Sequence, residues 1–498
     1  MLIARDYSRK SAQNYCFFCN HANILAKKVK FICICNKKAV ILCPIWKRHA
    51  SCIDTITAKW CNGSTTDSGS VCLGSSPSLA TKFLFLMRRK IAIIAGGDSS
   101  EYEVSLRSAA GIYSFLKPTH CSMNVHSYLA HRARTIISGH PIEQSSSPIK
   151  GRELDYDLTI VCLRGKEWRA LAETDSELQK NNGAVPMDSD KWVTIDKNDF
   201  SYTYQGEKIQ FDFAYITIHG TPGENGVLQG YLDMLGVPYS CCGVLAAAMT
   251  FNKYTCNQYL KGFGVNVAES VLLRKNQEPR TKSQDIVAQV GLPCFIKTNV
   301  GGSSFGVTKV KTLEDVVPAI EKAFGEGDEV ICEAEMKGIE ITCGVYKTKN
   351  KAVAFPITEV VTSNEFFDYD AKYNGQVDEI TPARIPDEVR DKVQALTLKI
   401  YDILGCKGII RVDYILTGLE AKGERREAKG DEAKGEEARG ERREAKDDEG
   451  EWKINLLEVN TTPGMTATSF IPQQIRAAGL EIGEVLGEII EDNLEVKN

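Results

Sequence analysis

The sequence lacks a long apolar segment. No uninterrupted apolar run approaches the roughly 18 residues that a membrane-spanning helix requires. The best candidate, the run from Phe31 to Trp46, is broken by Asn36, Lys37 and Lys38. A second run, Phe83 to Met87, has its basic residues after it, the reverse of their order in a secretory signal peptide. We therefore expect a cytoplasmic protein that has no membrane partner.

A strong charge of one sign is also absent. The 61 basic and 65 acidic residues leave a formal net charge of −4, so the charge balance does not favour a nucleic acid partner. Hydrophobic residues make up 43% and charged residues 25% of the 498 positions. This composition is typical of a globular protein, and the length predicts about two to four domains.

Cysteines are unevenly distributed along the chain. Eight of the 17 lie within the first 72 residues, and the other nine are scattered, with no regular spacing beyond the Cys241–Cys242 pair. In a reducing compartment the scattered cysteines are expected to be small buried hydrophobic residues and not a disulfide framework.

Residues 1–86 show no sustained helical or strand periodicity. Cys16-x-x-Cys19 followed by Cys33-x-Cys35 could be a zinc site, but the second pair is too closely spaced for the usual pattern. A different explanation is that the stretch from Trp60 to Pro77 resembles the mistaken translation of a transfer-RNA gene. We predict that 1–86 is an unstructured or wrongly assigned extension. A zinc-dependent regulator is the alternative.

From Lys90 onward the pattern is that of alternating strands and helices. A short apolar run to Ala95 leads into a glycine turn and then into a helical pattern. The same order of strand and helix recurs at 213–218 and 226–235, which predicts an α/β (α+β) fold. Residues 118–160 are poorly patterned, and most of them are expected to form a loop or insertion.

A highly charged segment occupies residues 420–451. It holds 13 acidic and 9 basic residues and no large apolar side chain, so it cannot bury enough surface to offset the entropy of ordering it. We interpret it as a solvated insertion at the tip of a hairpin; an interaction segment is the alternative.

The two strand patterns that flank this insertion carry candidate metal ligands. In 408–416, alternation places Arg411 and Asp413 on one face. In 454–460 it places Glu458 and Asn460 together, opposite Leu457 and Val459. If the strands pair as a hairpin, Asp413, Glu458 and Asn460 offer oxygen ligands of the kind that Mg²⁺ prefers beside substrate phosphates. A salt-bridged surface face is the alternative interpretation.

The sequence also offers a phosphate site, although the usual Gly-x-x-x-x-Gly-Lys-Ser/Thr pattern is absent. A strand over 293–298 carries Lys297 and runs into a glycine- and serine-rich stretch at 299–306. Small residues there let backbone N–H groups approach phosphate oxygens, with Lys253 as a second cation. Downstream, Glu333 and Glu340 suit an adenosine pocket.

Taken in order, these motifs resemble the D-alanine–D-alanine ligases of the ATP-grasp superfamily. The stretches that carry the resemblance are Gly96–Leu106 (GGDSSEYEVSL), His219–Gly226 (HGTPGENG), Gly301–Gly306 (GGSSFG), Phe367–Tyr373 (FDYDAKY), Arg411–Asp413 (RVD) and Glu458–Thr466 (EVNTTPGMT). The resemblance implies three domains, with ATP held between the central and C-terminal ones. Their expected bounds are 87–241 for the N-terminal substrate domain, 242–333 for the central subdomain and 334–498 for the C-terminal subdomain.

The resemblance further implies a reaction. The carboxylate of one D-alanine attacks the γ-phosphate of ATP, and the amine of a second D-alanine then attacks the resulting acyl phosphate, which must be shielded from water. Two Mg²⁺ ions are implied, with Mn²⁺ as an alternative, and so is a homodimer. The product would be a precursor of peptidoglycan.

The same resemblance implies a role for individual residues. Those implied at ATP are Lys253, Lys297 and Lys372 at the phosphates, and Glu333 and Glu340 at the adenosine. Those implied at the metal are Asp413, Glu458 and Asn460. Arg411 and the Gly464 backbone are implied at the oxyanion. Glu101 is implied at the ammonium of the first D-alanine, and Ser303 and Tyr373 are implied to join Glu101 to a closing loop. Those implied at the substrates are His219 near the first D-alanine, and Ser469 and Phe470 at the second.

Two departures from the family pattern bear on this assignment. Thr298 stands where a proline is expected, and Phe470 stands where a smaller aliphatic residue is common. Phe470 touches the expected second-substrate pocket, so a ligase that makes a D-alanyl ester or D-alanyl-D-serine is the nearest rival. The stretch Ala371-Lys372-Tyr373 argues against the ester-forming relatives. A catalytically inactive binding protein is a further rival, which the intact metal ligands disfavour.

Overall fold

The computed structural model describes residues 88–117, 156–275, 283–301, 307–362, 377–418 and 452–495, together with the backbone of three strands nearer the N-terminus. Those strands, β1 (Asn14–Phe18), β2 (Phe31–Cys35) and β3 (Lys38–Leu42), form an antiparallel sheet. The sequence had predicted no regular secondary structure in residues 1–86. The three runs are short and rich in aromatic and β-branched residues. Such residues favour strands even in runs that are too short to show sustained alternation. The cysteine side chains of the zinc hypothesis lie outside the described residues.

The N-terminal part of the remaining chain is built on a five-stranded sheet in the order β10-β4-β5-β6-β7. Strands β4, β5 and β10 run parallel, and β6 and β7 extend the sheet antiparallel. The strand bounds are β4 Arg89–Gly96, β5 Tyr156–Arg164, β6 Glu167–Leu171, β7 Trp192–Thr194 and β10 Phe213–Ile216. A separate hairpin joins β8 (Ser201–Tyr204) to β9 (Glu207–Gln210).

Three helices accompany this sheet: α1 (Tyr102–Leu116), α2 (Thr174–Lys180) and α3 (Val227–Leu235). The sequence predicted the strand, glycine turn and helix at β4 and α1, and the structure confirms them. The turn requires glycine because Gly97 has a φ of +100° and a Cβ there would lie 2.6 Å from Ile218 Cγ2. This turn therefore aims the start of α1 at the loop that follows β10.

The central part is a four-stranded antiparallel sheet in the order β12-β15-β13-β14. Its strands are β12 Ser270–Arg274, β13 Cys294–Thr298, β14 Thr308–Val310 and β15 Glu329–Ala334. Helices α6 (Ser283–Val290) and α7 (Val316–Glu326) cover one face of this sheet and share a core with it.

The C-terminal part is a seven-stranded sheet that contains the predicted hairpin. Its order is β11-β21-β20-β16-β18-β19, with β17 paired to β16. The strands are β11 Asn266–Val267, β16 Ile339–Lys347, β17 Ala352–Ala354, β18 Thr358–Thr362, β19 Val377–Ile380, β20 Ile409–Thr417 and β21 Lys453–Asn460. The helices of this part are α8 Asp387–Ile403, α9 Phe470–Ala477 and α10 Ile482–Glu495.

Two further helices precede the central sheet, α4 (Val244–Phe251) and α5 (Lys253–Lys261). Their buried residues, among them Ala246, Cys256 and Leu260, belong to the same hydrophobic core as Val412 and Tyr414 of β20. The predicted central subdomain began at residue 242, whereas the four-stranded sheet itself begins at β12. Helices α4 and α5 pack against the C-terminal sheet, and a boundary drawn from the sequence does not take this packing into account. The difference follows from it.

The N- and C-terminal parts meet closely around one loop after β21. Thr462 Oγ1 donates to the carbonyl of Ile218 at 3.0 Å, and the Met465 N–H donates to Ser108 Oγ at 3.2 Å. A Cβ added to Gly111 of α1 would lie 2.4 Å from the Met465 carbonyl oxygen. Glycine at this position therefore allows α1 to approach the loop, which brings residues beside two separate sheets together.

Cysteine burial agrees with the prediction from the sequence. The eight cysteines that the structure describes beyond residue 88 are buried and free, as predicted for small hydrophobic residues. Within the described ranges, every helix is too short or too polar to cross a bilayer.

Replacing residues 420–451 by a short turn should leave the melting temperature unchanged or slightly raised. The segment connects β20 to β21, which pair up to Thr417 and Lys453, and each halving of a loop's length saves only about 0.6 kcal/mol of closure entropy. Thermal unfolding of the two proteins with and without Mg²⁺-ATP checks this. A fall of more than about 10 °C, or loss of the shift caused by Mg²⁺-ATP, would mean that the segment is part of the fold.

Candidate active site

One cavity of about 1030 Å³ lies where the three sheets approach one another. Such a volume is at the upper end of the about 300–1,000 Å³ that ligand pockets occupy. All predicted site residues that the structure describes line this cavity: Glu101, His219, Lys253, Lys297, Glu333, Glu340, Arg411, Asp413, Glu458, Asn460, Gly464, Ser469 and Phe470. The remaining three, Ser303, Lys372 and Tyr373, lie outside the described residues.

The hairpin of β20 and β21 places the candidate metal ligands together. Asp413 pairs directly with Glu458, and Arg411 with Asn460, as the alternation pattern predicts. Arg411 donates from Nε to Asp413 Oδ1 at 2.8 Å and from Nη2 to Asp413 Oδ2 at 2.7 Å. Thr342, opposite Asp413 on β16, donates to Oδ1 at 2.6 Å. The Asp413 carboxylate is thus fixed from two strands.

One detail of this hairpin differs from the strict alternation used on the sequence. The register shifts between Asp413 and Tyr414, and Tyr414 pairs with Leu456. The prediction that Leu457 lies on the face opposite Glu458 is therefore wrong: Leu457 lines the cavity beside Glu458. The cause is a β-bulge, which inserts one extra residue into a strand and re-aims its side chains. It adds an apolar wall next to the acidic residues.

The donor set fits a hard divalent cation. Asn460 Nδ2 lies 3.1 Å from Asp413 Oδ2 and 3.4 Å from Glu458 Oε1, so both carboxylates turn toward one point and share one weak donor there. Two carboxylates and an amide supply oxygen ligands, which Mg²⁺ combines with water and substrate phosphates. Within the described ranges, no group of three or more His, Cys, Asp or Glu side chains forms a complete metal cage. The hairpin is suited to a metal whose other ligands come from the nucleotide.

Two lysines, Lys253 and Lys297, line the cavity. Lys297, on β13, has its Nζ 2.5 Å from Glu333 Oε2 on the adjacent strand β15. Loss of hydration lowers the pKa of Lys297, but the charge of Glu333 and the hydrogen bond to it outweigh this effect and raise the pKa overall. Glu333 also accepts from Asn257 Nδ2 at 3.2 Å. Lys297 and Glu333 therefore form an internal ion pair that a nucleotide would have to share.

Lys253 differs from Lys297 in the charges that surround it. Its Nζ donates to the Gly301 carbonyl oxygen at 2.6 Å, at the edge of the glycine-rich stretch. Loss of hydration lowers its pKa; the charge of Glu458 opposes this, and the charge of Lys297 adds to it. Asn299 and the α5 N-cap residue Asn252 hold the start of α5 against this strand end. Among the described residues, Lys253 is thus a cation without a carboxylate in contact, an arrangement that suits a phosphate.

The substrate end of the cavity is formed by the loops after β4 and β10. His219 is 9% exposed, and its buried Nε2 has no hydrogen-bond partner among the residues that the structure describes. Glu101 precedes α1 in the glycine turn, and its N–H donates to Ser99 Oγ at 3.3 Å, while Ser99 Oγ donates to the His219 carbonyl at 2.8 Å. A buried imidazole nitrogen that lines a cavity is costly to leave unpaired, so this nitrogen points to a polar ligand.

Glu224 is a cavity residue that sequence reasoning did not single out. It accepts from the Gly220 N–H at 2.7 Å, and loss of hydration raises its pKa against the opposing effects of His219 and of this hydrogen bond. The charge of Glu101 raises it further. Its position five residues after His219 in a glycine-rich turn was the available signal, because a carboxylate in such a turn can reach back to the histidine.

The loop after β21 forms the far wall of the cavity. A Cβ on Gly464 would lie 3.0 Å from Ser469 Oγ, and Ser469 Oγ itself accepts from the Thr466 N–H at 3.1 Å. Phe470 begins α9, and the Arg411 guanidinium lies 5.3 Å from the centre of its ring. The predicted oxyanion and second-substrate residues are therefore neighbours.

Comparison with known proteins gives two family matches. The "D-ala D-ala ligase N-terminus" model matches residues 90–242, and the "D-ala D-ala ligase C-terminus" model matches residues 259–423 and 446–491. The chain belongs to the D-alanine–D-alanine ligase family. The gap within the second match falls inside the charged segment, in keeping with its interpretation as an insertion.

Relatives and solved structures agree with this family. The D-alanine–D-alanine ligase of Phocaeicola vulgatus is 53% identical over 406 residues, which cover 82% of this chain and 99% of the relative. That of Bacteroides fragilis is 54% identical over the same length and coverage. The VanG D-Ala:D-Ser ligase from Enterococcus faecalis superposes with a TM-score of 0.59 at 26% identity, covering 82% of this chain and 100% of that one. The D-alanine–D-alanine ligase from Bacillus anthracis gives a TM-score of 0.53 at 25% identity, covering 82% and 98%.

These matches confirm the fold and the class of enzyme predicted from the sequence. The family is one of ATP-grasp ligases that form ADP and depend on a divalent metal. The individual roles of the site residues stay predictions.

Replacing Lys253 by methionine should weaken ATP binding without destabilising the protein. Its pKa is lowered in the folded state, so the charged form opposes folding at pH values below the folded pKa, and this effect fades as the pH rises through it. The Lys253→Met protein should therefore melt at or above the wild-type temperature near neutral pH, with a smaller difference at alkaline pH.

ATP affinity should fall at least about tenfold, because a hydrogen bond to a charged group is worth about 1.5–3 kcal/mol. Thermal unfolding across pH and ATP titration measure the two effects. A large destabilisation together with unchanged ATP affinity would show that Lys253 is a structural residue. Lys322→Met, on the outer face of α7, is the control, since Lys322 is exposed.

Proposed function

We propose that this chain joins two D-alanine molecules to D-alanyl-D-alanine at the expense of ATP, for the synthesis of peptidoglycan precursors. The observation that carries the proposal is the convergence of all described site residues of the family pattern on one cavity. Membership of the family and 53% identity to a D-alanine–D-alanine ligase support the choice of substrate.

In the first step, the carboxylate of one D-alanine attacks the γ-phosphate. Glu101 and the unpartnered His219 Nε2 lie at the same end of the cavity and would hold the ammonium and carboxylate of this substrate. Lys253 and Lys297 would bind the phosphates, with Glu333 and Glu340 at the adenosine. An oxygen of D-alanine bonds to phosphorus, the bond to ADP breaks, and D-alanyl phosphate forms.

In the second step, the amine of another D-alanine attacks the acyl carbon. Negative charge then develops on the acyl oxygen, beside the Arg411 guanidinium and the Gly464 backbone. Asp413 orients that guanidinium through two hydrogen bonds, so little reorganisation accompanies the reaction. Phosphate leaves as the amide bond forms, and the ammonium proton is lost to solvent.

Asp413, Glu458 and Asn460 would hold the metal, which we propose to be two Mg²⁺ ions with Mn²⁺ as a substitute. Such ions neutralise the charge of the phosphates and orient them for transfer. Leu457, which the β-bulge turns toward the cavity, would contribute an apolar contact to the nucleotide.

We also propose that the protein acts in the cytoplasm as a homodimer. Exposed apolar side chains occur together on α3 and α4: Val227 is 61%, Met234 89% and Leu245 74% exposed. An apolar surface of this kind is suited to a second copy of the chain. Its partners would otherwise be the small molecules ATP and D-alanine.

D-alanyl-D-serine formation is the second candidate. It is favoured by the similarity to the VanG D-Ala:D-Ser ligase. Phe470 argues against it, because its ring lies 5.3 Å from the Arg411 guanidinium, at the proposed second-substrate end. A ring at this position narrows the pocket, so we expect D-alanine, the smaller amino acid, to be preferred over D-serine.

The experiment that tests the proposed function is phosphate release from Mg²⁺-ATP with different amino acids. We expect release with D-alanine and little with L-alanine, and D-alanyl-D-alanine as the product. Equal release with both enantiomers would refute the assignment. Supplying D-alanine with D-serine and separating the products distinguishes the two candidates.

Replacing Glu458 by glutamine should nearly abolish turnover. The variant keeps size and hydrogen bonding but removes one negative charge from the metal ligands, and this should cost more than the about 10–100-fold lost with an outer-shell partner. Steady-state kinetics at saturating ATP and varied Mg²⁺ check this. Near-normal turnover of Glu458→Gln would refute the metal assignment.

Tyr373→Phe is the contrasting variant. It removes only a hydroxyl that is expected to join the closing loop to Ser303 and Glu101, and a lost neutral hydrogen bond costs about 0.5–1.5 kcal/mol. We expect substantial turnover with weakened D-alanine binding. Loss of all turnover in Tyr373→Phe would indicate instead that the Tyr373 hydroxyl takes part in the reaction.

A further inference from the structure

Two buried cysteines have no role in the proposed reaction and do not line the cavity. Cys242 precedes α4, and Cys406 lies in the turn between α8 and β20. Both are free thiols. Both belong to the core that the C-terminal sheet shares with α4 and α5. Although the two residues are far apart along the chain, the fold brings their segments together.

The segment that contains Cys242 passes the turn that contains Cys406 in the opposite direction. A Cβ added to Gly408 would lie 1.8 Å from the Ser240 carbonyl oxygen. Two residues beyond Ser240, the Cys242 thiol donates to the Lys407 carbonyl oxygen at 3.5 Å. Moving forward along one segment therefore means moving back along the other, from Gly408 through Lys407 toward Cys406. The two cysteines thus lie opposite each other.

The two thiols also contact each other directly. The hydrogen bond from Cys406 lowers the pKa of Cys242, and the Lys407 backbone adds to this effect, while loss of hydration opposes it. The same hydrogen bond and the loss of hydration raise the pKa of Cys406. Cys242 is thereby favoured as the thiolate, the form that attacks an oxidant, and its partner keeps its proton.

Two other cysteines near this pair differ from it. The Cys241 side chain belongs to a different core, where its sulfur accepts from Gln229 Nε2 at 3.3 Å. Loss of hydration raises the pKa of Cys241. Cys256 shares the core with Cys242, but loss of hydration raises its pKa to about 12, which keeps it in the less reactive thiol form. Cys242 and Cys406 are therefore the pair that is suited to react.

We propose that Cys242 and Cys406 form a site of reversible modification, at which a peroxide oxidises the two thiols to a disulfide and turnover falls. In a reducing compartment the pair rests as thiols, which is the state in the structure. Gly405 and Lys407, on either side of Cys406, are exposed. A molecule as small as hydrogen peroxide therefore has a short path to the pair.

The reaction is balanced with a peroxide as the oxidant. The Cys242 thiolate attacks one oxygen of hydrogen peroxide, the O–O bond breaks, and a sulfenic acid and hydroxide form. The Cys406 thiol then attacks this sulfur, and the S–O bond breaks as the S–S bond forms. The two hydroxides take up the two thiol protons and become water. Two thiols thus lose two electrons, and these reduce the peroxide.

The disulfide would act on turnover through β20. Joining the two sulfur atoms draws the segments together where Ser240 and Gly408 already leave no space between them. Because protein interiors are close-packed, the turn must shift, and it leads directly into the part of β20 that carries Arg411 and Asp413. The fall in turnover rests on the proposed function, whereas formation of the disulfide does not.

The experiment treats the purified full-length chain with hydrogen peroxide and maps its disulfides by non-reducing proteolysis and mass spectrometry. We expect linked peptides that join Cys242 to Cys406. Turnover should fall at least about tenfold, since a misplacement of about 1 Å can cost about 100-fold. A dithiol reductant should remove the linked peptides and restore turnover.

Alanine variants show which sulfur atoms carry the effect. Cys242→Ala and Cys406→Ala should each lose the linked peptides and keep their own turnover under peroxide. Cys256→Ala, from the same core, is the matched control and should respond as the wild type does. Thermal unfolding of the reduced variants shows whether they fold, and the map of the wild-type protein decides the pairing even if one of them does not.

The proposal is overturned if peroxide links a different pair, such as Cys241 with Cys242, or if the Cys242–Cys406 disulfide forms without a change in turnover. It is also overturned if Cys406→Ala loses turnover under peroxide as the wild type does. Dipeptide formation by the reduced wild type separates these failures from failure of the proposed function. If the reduced protein makes no D-alanyl-D-alanine, the proposed function is wrong, and the disulfide map alone decides whether the pair is oxidised.

Discussion

The ion pair of Arg411 and Asp413 is the interaction on which the site depends. Two charges taken out of water are costly unless each has a well-placed partner, and here the guanidinium donates two parallel hydrogen bonds to one carboxylate. Asp413 is thereby held beside Glu458, its direct partner on β21. The same contact aims Arg411 into the cavity and over Phe470. The proposed metal site and the proposed oxyanion site would thus share one pair of residues.

The fold supplies this pair through strand register. Asp413 faces Glu458 on one side and Thr342 on the other. A slip of β20 by one residue would turn Asp413 and Arg411 away from the cavity. The central sheet contributes the second ion pair, Lys297 with Glu333. Lys253 differs, because within the described part of the chain it contacts a carbonyl oxygen and feels carboxylates only at a distance. Lys253 therefore offers a positive charge at the place where phosphate is expected.

How much of this could be predicted from the sequence depends on the range of the interaction. Alternation within strands predicted that Asp413, Glu458 and Asn460 converge, because a hairpin pairs residues that are near in sequence once the charged insertion is removed. The bulge that turns Leu457 into the cavity was missed, since a period of two has no place for an extra residue. Helices α4 and α5 joined the C-terminal core through tertiary packing, which no local pattern encodes. The pairing of Glu379 with Gln473 spans 94 residues and has no motif; Ser303, Lys372 and Tyr373 lie outside the described residues, and their roles remain predictions.

The measurement that tests the central claim most directly follows oxygen from D-alanine labelled with ¹⁸O in its carboxylate. If the cavity catalyses attack of that carboxylate on the γ-phosphate, as the placement of Lys253, Lys297 and Arg411 around one space implies, one labelled oxygen passes to phosphorus. Released phosphate should then carry one ¹⁸O for each dipeptide formed. Unlabelled phosphate accompanying normal dipeptide formation would contradict an acyl phosphate intermediate and the mechanism built on it.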